Sequence, residues 1–304
     1  MATPISADFG YYPRPLAFSA GPVAVSTKPD LDEIVAEIST SEGAEEGWIY
    51  PGFQRVRDFS GNVRDRPYAA RIFGLPNTHS IQHAAADSKA HLDFHVWALS
   101  FFTGMRLTTT EAGFVDGTPI KPGTLVDFTP LGTSLEAAVG LAEAFWTANR
   151  SEPAHAKRWV AAVHALFLSQ YRHSLQFERI LYSYTAIDAC FALAKELHPG
   201  SPPGHTDRIE WMCGLFGMPT PAWAQRPAPK GSTQIATIRN ALMHEALFMD
   251  EPLGFALHGV GTNQNLPLEM ANLICRFLVA LIGAPGADYV RSPITSRQTQ
   301  GLRL

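Results

Sequence analysis

The feature that most limits how this 304-residue chain can fold is a change of punctuation near residue 132. Before it, turn-forming residues interrupt the chain repeatedly: Gly104, Gly113, Gly117, Pro119, Pro122, Gly123 and Pro130 all fall in one short stretch. Such spacing suits short strands and turns. Beyond it, apolar residues recur at spacings of three and four, as amphipathic helices require. The expected fold class is therefore α+β. A β-rich N-terminal domain should cover residues 1–132, an all-α bundle residues 133–286, and a flexible polar tail residues 287–304.

Within the first domain, residues 1–22 read as an irregular lead-in. Segments 22–27, 32–38, 47–53 and 68–73 read as strands from their β-branched and aromatic content between Gly, Pro and Asp. Residues 42–47 form an acidic loop, residues 58–66 a charged turn, and residues 124–128 a further strand. The stretch 76–103 is ambiguous between helix and strand. His79 and His83, and His91 and His95, would each share one helical face, a zinc spacing. No glutamate follows His79 in the pattern of a catalytic zinc helix, and no cysteine is near. The apolar run from His91 to Phe102 reads as core, and no metal or other cofactor is expected.

Six helices are expected in the second domain. Ser134 caps the first, and Pro153 opens the second. The third and longest runs from about 175 to 197, and the fourth from 206 to 216. Residues 219–231 are a proline-rich connector. A motif helix follows from about 232 to 248, capped by Ser232 or Thr233, and Pro267 opens a last, well-buried helix from 268 to 282.

The polar residues of chemical interest lie on the third and motif helices. Asp188 falls inside an apolar stripe of Phe177, Ile180, Leu181, Tyr184, Ile187 and Phe191, where a carboxylate is costly unless paired. Arg239 is its expected partner. On the motif helix, Ile235, Ile238, Leu242, Ala246 and Met249 form an apolar stripe. Asn240 and His244 are one turn apart and share a face. Arg239 lies five residues before His244, about 140° away on a regular helix. An imidazole titrating near neutrality, an amide and a guanidinium suit phosphodiester chemistry.

The Arg239-Asn240-x-x-x-His244 sequence on a late helix, following an upstream helix reading FERILYSYTAID over residues 177–188, resembles a HEPN domain. It is most similar to the ApeA-like HEPN group of bacteria, over roughly the C-terminal half. The resemblance implies a HEPN-like bundle and a metal-independent endoribonuclease acting in a toxin or antiviral phage-defence setting. His244 would deprotonate a ribose 2′-OH, Arg239 would stabilise charge on phosphorus, and Asn240 would orient His244 or bind a phosphate oxygen. Asp188 and Glu178 would support them, and Arg208, Lys230 and Arg172 are candidate phosphate contacts. It also implies a homodimer with a composite groove, RNA as partner, and a regulatory partner or ligand at the N-terminal domain. The alternatives are a non-catalytic HEPN scaffold binding nucleotide or protein, and a zinc hydrolase built on the N-terminal histidines.

Charge is uneven. Residues 1–140 carry 10 basic and 16 acidic side chains, and residues 141–304 carry 14 and 12. The helical half better suits an anionic partner, though it lacks the basic footprint of a general nucleic-acid binder. The three cysteines, Cys190, Cys213 and Cys275, fall in apolar helical patterns and read as buried thiols of a cytoplasmic protein. No secretion signal and no apolar run of about 18 residues is evident, so no membrane span is expected. Trp159, Trp211 and Trp223 read as core or loop anchors. No phosphate-cradling glycine loop, nucleophile elbow or paired CxxC motif occurs.

Overall fold

The computed structural model describes residues 4–67, 72–110, 114–115, 117–200, 203–227, 231–245, 265–295 and 301–304. The fold class is α+β, with a strand-rich region followed by a helical one. The chain forms two compact units, Met1–Leu125 with Leu135–Gly140, and Val126–Ser134 with Leu141–Leu304.

The first unit is built on a four-stranded antiparallel sheet. Its strands are β1 (Ile5–Phe9), β2 (Phe18–Ala20), β3 (Val23–Thr27) and, after several intervening elements, His79–His83; helix α1 (Leu31–Thr40) follows β3. Short strands β4 (Ala44–Glu45), β5 (Trp48–Ile49), β6 (Phe53–Arg57), β7 (Val63–Pro67) and β8 (Ile72–Phe73) come next, so His79–His83 is β9. Helix α2 (Lys89–Thr103) and strands β10 (Phe114–Val115) and β11 (Thr118–Pro119) complete the unit. The sheet order is β1-β9-β3-β2, and β9 pairs on both sides, with His83 opposite Ile5 and Val23. Along β9 alternate residues are buried, so His79, Ile81 and His83 share one face. Helix α2 packs on β1 and β9. Phe9, Val23, Val25, Ile81, Leu92, Val96 and Leu99 join one apolar core. Ser88 caps α2 by accepting the His91 N–H at 3.3 Å, and Gly104 ends it at φ +63°.

Two expected strands are not strands. Residues 32–38 lie in α1, whose Leu31, Ile34, Val35 and Ile38 turn one stripe toward the core. Helical spacing outweighs their β-branched content. Residues 124–128 are irregular, and the neighbouring strand is β12 (Thr129–Pro130). Residues 47–53 are divided between β5 and the start of β6, and residues 68–71 lie outside the described residues.

The second unit contains β12 and helices α3 (Ser134–Ala148, entered from Leu135–Gly140 of the first unit), α4 (Pro153–Ser169), α5 (Gln176–Leu197), α6 (Arg208–Phe216), α7 (Gln234–Asn240), α8 (Leu266–Leu281) and α9 (Asp288–Arg291). Strand β13 (Gly301–Leu302) pairs in parallel with β12. The core is the packing of α4, α5 and α8 on one another. Pro153 opens α4 as expected. Ser134 is inside α3 rather than capping it, its hydroxyl donating to Leu131 O. Within the proline-rich connector a 3₁₀ turn, Ala222–Ala224, forms around the buried Trp223.

The tail expected beyond 286 is ordered where it is described. Tyr289 and Val290 of α9 are buried, and Arg276 of α8, fully buried, explains part of the reason. Its guanidinium donates to Asp127 at 3.1 Å, Asn272 O at 2.7 Å and Ser292 O at 3.2 Å, and lies 4.4 Å over the Tyr289 ring. Tyr289 in turn donates its hydroxyl to Asp127. A buried guanidinium needs such acceptors, and of these the segment after α8 supplies Ser292 O, with the Tyr289 ring beside it. Cys190, Cys213 and Cys275 are buried and free, and burial pushes the Cys213 thiol up to about 12. Among the described residues no helix is long and apolar enough to cross a membrane.

Candidate functional site

Three consecutive turns of α5 present Tyr184, Asp188 and Phe191 toward α6 and α7. The 3₁₀ turn His205–Asp207, leading into α6, carries His205, and Arg208 follows at the start of the helix. Arg208 is the hub. It donates Nη1–H to Asp188 and Nη2–H to His205 Nδ1, and its Nε–H reaches His205 O at 3.1 Å. Its guanidinium also lies 5.1 Å over Phe191. Those bonds use three of its five donors. Because Nδ1 of His205 accepts from Arg208, the neutral ring carries its proton on Nε2. Nε2 then donates to the Tyr184 hydroxyl at 3.1 Å. Burial pushes the Tyr184 phenol up to about 12, with Arg208 and Arg239 opposing the shift and Asp188 adding to it.

Arg239 comes from the motif helix. Its guanidinium lies 5.8 Å over the Tyr184 ring and donates to Asn240 Oδ1 at 3.2 Å. The motif helix carries it there because Thr233 caps α7, accepting the Ala236 N–H at 3.2 Å, while Ile235, Ile238 and Leu242 are buried. Two guanidiniums therefore act on one tyrosine, one over its ring and one through His205, and both Arg239 and Asn240 are half-buried.

The expected partnership of Asp188 with Arg239 is not what forms. Asp188 pairs with Arg208, and its side chain is 40% exposed while that of Arg208 is 15% exposed. The two ends of this pair lie one helix apart, so periodicity on α5 alone could not select between two arginines. Glu178 is not beside the cluster. Its carboxylate accepts the Leu175 N–H at 2.7 Å and caps α5. The imidazole of His205 was missed by sequence reasoning, and its short spacing to Arg208 was the available signal.

The backbone after Asn240 also departs from expectation. Ala241–Glu245 forms one π-helical turn. An i→i+5 ladder turns less per residue than a regular helix, so position 244 returns toward the face of Arg239 rather than lying 140° from it. The His244 side chain lies outside the described residues, as do Lys230, Ala246 and Met249. Trp159 and Trp223 are buried and donate their indole N–H to Leu278 O at 3.1 Å and Glu269 Oε2 at 2.8 Å, so neither offers a stacking face to a base. Trp211 packs edge-on to Phe191 at 5.6 Å.

No family model, curated protein or solved structure matches this chain.

Proposed function

We propose that the helical unit is a HEPN-type, metal-independent endoribonuclease with its site along α5, α6 and the motif helix. The observation that carries this reading is that Arg208 and Arg239 both act on Tyr184, Arg239 over its ring and Arg208 through His205, beside the π turn that bears His244. Two guanidiniums suit a phosphodiester, whose charge rises as a pentavalent centre forms. His244 takes the proton of a ribose 2′-OH, and that oxygen bonds to the adjacent phosphorus. The bond from phosphorus to the 5′-oxygen breaks, and the leaving oxygen takes up the proton that His244 removed. The products are a 2′,3′-cyclic phosphate and a free 5′-OH. DNA, lacking the 2′-OH, is not cut. In this reading Arg239 and Arg208 hold the phosphate, Asn240 orients, and His205 positions Tyr184, both of its ring nitrogens being engaged. A homodimer would complete the groove, and the setting is a cytoplasmic toxin or phage-defence enzyme.

One observation favours a second reading, a non-catalytic scaffold that binds nucleotide or protein. The Asp188–Arg208–His205–Tyr184 chain is hydrogen-bonded end to end within the protein, as a structural network would be. Purified protein is incubated with RNA and chelator, wild type beside His244→Ala, Arg239→Ala and Arg208→Ala. Cleavage by wild type alone, with ends that resist ligation until phosphatase treatment, supports the enzyme. Equal cleavage in all four proteins refutes the site. RNA binding without cleavage by folded wild type supports the scaffold.

A further inference from the structure

The strand-rich unit holds a second constellation, independent of the proposed nuclease site. His83 ends β9 on its buried face, and His91 and His95 sit one turn apart at the start of α2, which packs on that strand. The three are at most 1% exposed. Their ring centroids are 4.4 Å apart for His83 and His91, 5.1 Å for His91 and His95, and 5.6 Å for His83 and His95. One ligand nitrogen of each lies within 4.8 Å of those of the others. Sequence reading paired these residues as His79 with His83 and His91 with His95. The packing of α2 on β9 selects a different set and leaves His79 out, bonded to Thr78 Oγ1 at 2.8 Å.

We propose that His83, His91 and His95 bind one divalent transition-metal ion, zinc foremost, as a structural site joining β9 to α2. Two of the rings are oriented as ligands are. His95 Nδ1–H donates to His91 O at 2.9 Å, which leaves Nε2 with its lone pair. His91 Nδ1 lies 3.4 Å from a carboxylate oxygen of Asp87, the carboxylate–imidazole pairing that fixes a ligand's tautomer. The third must turn. His83 Nδ1 accepts the Ala85 N–H at 3.0 Å, so the neutral ring carries its proton on Nε2 and binds metal only after releasing that amide. A tetrahedral ion with bonds of roughly 2.0–2.1 Å would draw the nitrogens to about 3.4 Å of each other, a small contraction. Three imidazoles favour zinc, copper, iron or nickel over magnesium or calcium. Neutral imidazoles leave a buried ion's charge uncompensated, and the Asp87 carboxylate behind His91 relieves part of it.

The experiment uses the full chain purified without chelator from zinc-supplemented cells. Metal content by plasma mass spectrometry should be about one ion per chain. It should fall at least tenfold in His91→Gln and His95→Gln. The melting temperature of wild type should drop on adding chelator and return with zinc, while the histidine variants should not respond. Cobalt replacement should give the visible absorption of a low-coordinate, nitrogen-bound ion in wild type only. Should the variants fail to fold, the chelator and zinc series on wild type decides. Folded wild type that retains no metal and whose melting is indifferent to both overturns the proposal. Undiminished metal content in folded histidine variants overturns it equally. RNA cleavage is not a readout, so failure here leaves the nuclease reading standing.

Discussion

Replacing His79 by Phe tests how far burial alone can perturb a titrating group in this fold. His79 is fully buried on β9, with its ring 5.7 Å from Phe9 and 5.8 Å from Tyr12. Burial lowers its pKa from 6.5 to about 4, against a smaller opposing contribution from a backbone hydrogen bond involving Arg14. The folded state therefore holds the neutral ring, and the unfolded chain takes up a proton first as pH falls. Stability from this residue is full above pH 6.5, declines as pH falls from 6.5 to about 4, and then levels off. The shift of about 2.5 units corresponds to about 3 kcal/mol. Phe keeps the ring and removes the titration, at a pH-independent loss of about 1 kcal/mol for the bond with Thr78. Urea unfolding of both proteins, followed by tryptophan fluorescence from pH 7.5 to 4, gives the difference in stability. Wild type should be the more stable near neutrality and the less stable near pH 4, and other titrations cancel in the difference. A difference that stays flat across that range, with unchanged m-values, refutes the reasoning.

Three further outcomes follow from the packing. Asp127→Ala strands the buried Arg276 guanidinium and should cost about 3–5 kcal/mol in denaturant unfolding, whereas Asp127→Leu with Arg276→Met together should cost far less. Thr233→Ala removes the cap of α7 and should cost about 1 kcal/mol, read as a lower urea midpoint. Gly104→Ala forces a side chain into the left-handed turn that ends α2, at φ +63°, and should cost about 1–2 kcal/mol by the same measurement.

Several elements were legible from residue pattern because their cause is local. The apolar periods behind α4, α5 and α8, Pro153 at the start of α4 and the cap at Thr233 involve neighbours a few positions apart. Segment 31–40 was legible too, yet its Ile and Val content argued for a strand. The spacing of Leu31, Ile34, Val35 and Ile38 prevailed because one stripe could be buried only as a helix.

The division of the chain into a strand-rich and a helical part was written in its order of residues, since glycine, proline and apolar period act over single turns and strands. Tertiary structure alone decided the partners. Asp188 took Arg208 rather than Arg239, and three histidines from a strand and a helix met in one core. Such choices depend on which elements pack together, and a hydrogen bond or a ligand distance of a few ångströms is satisfied only after that packing exists.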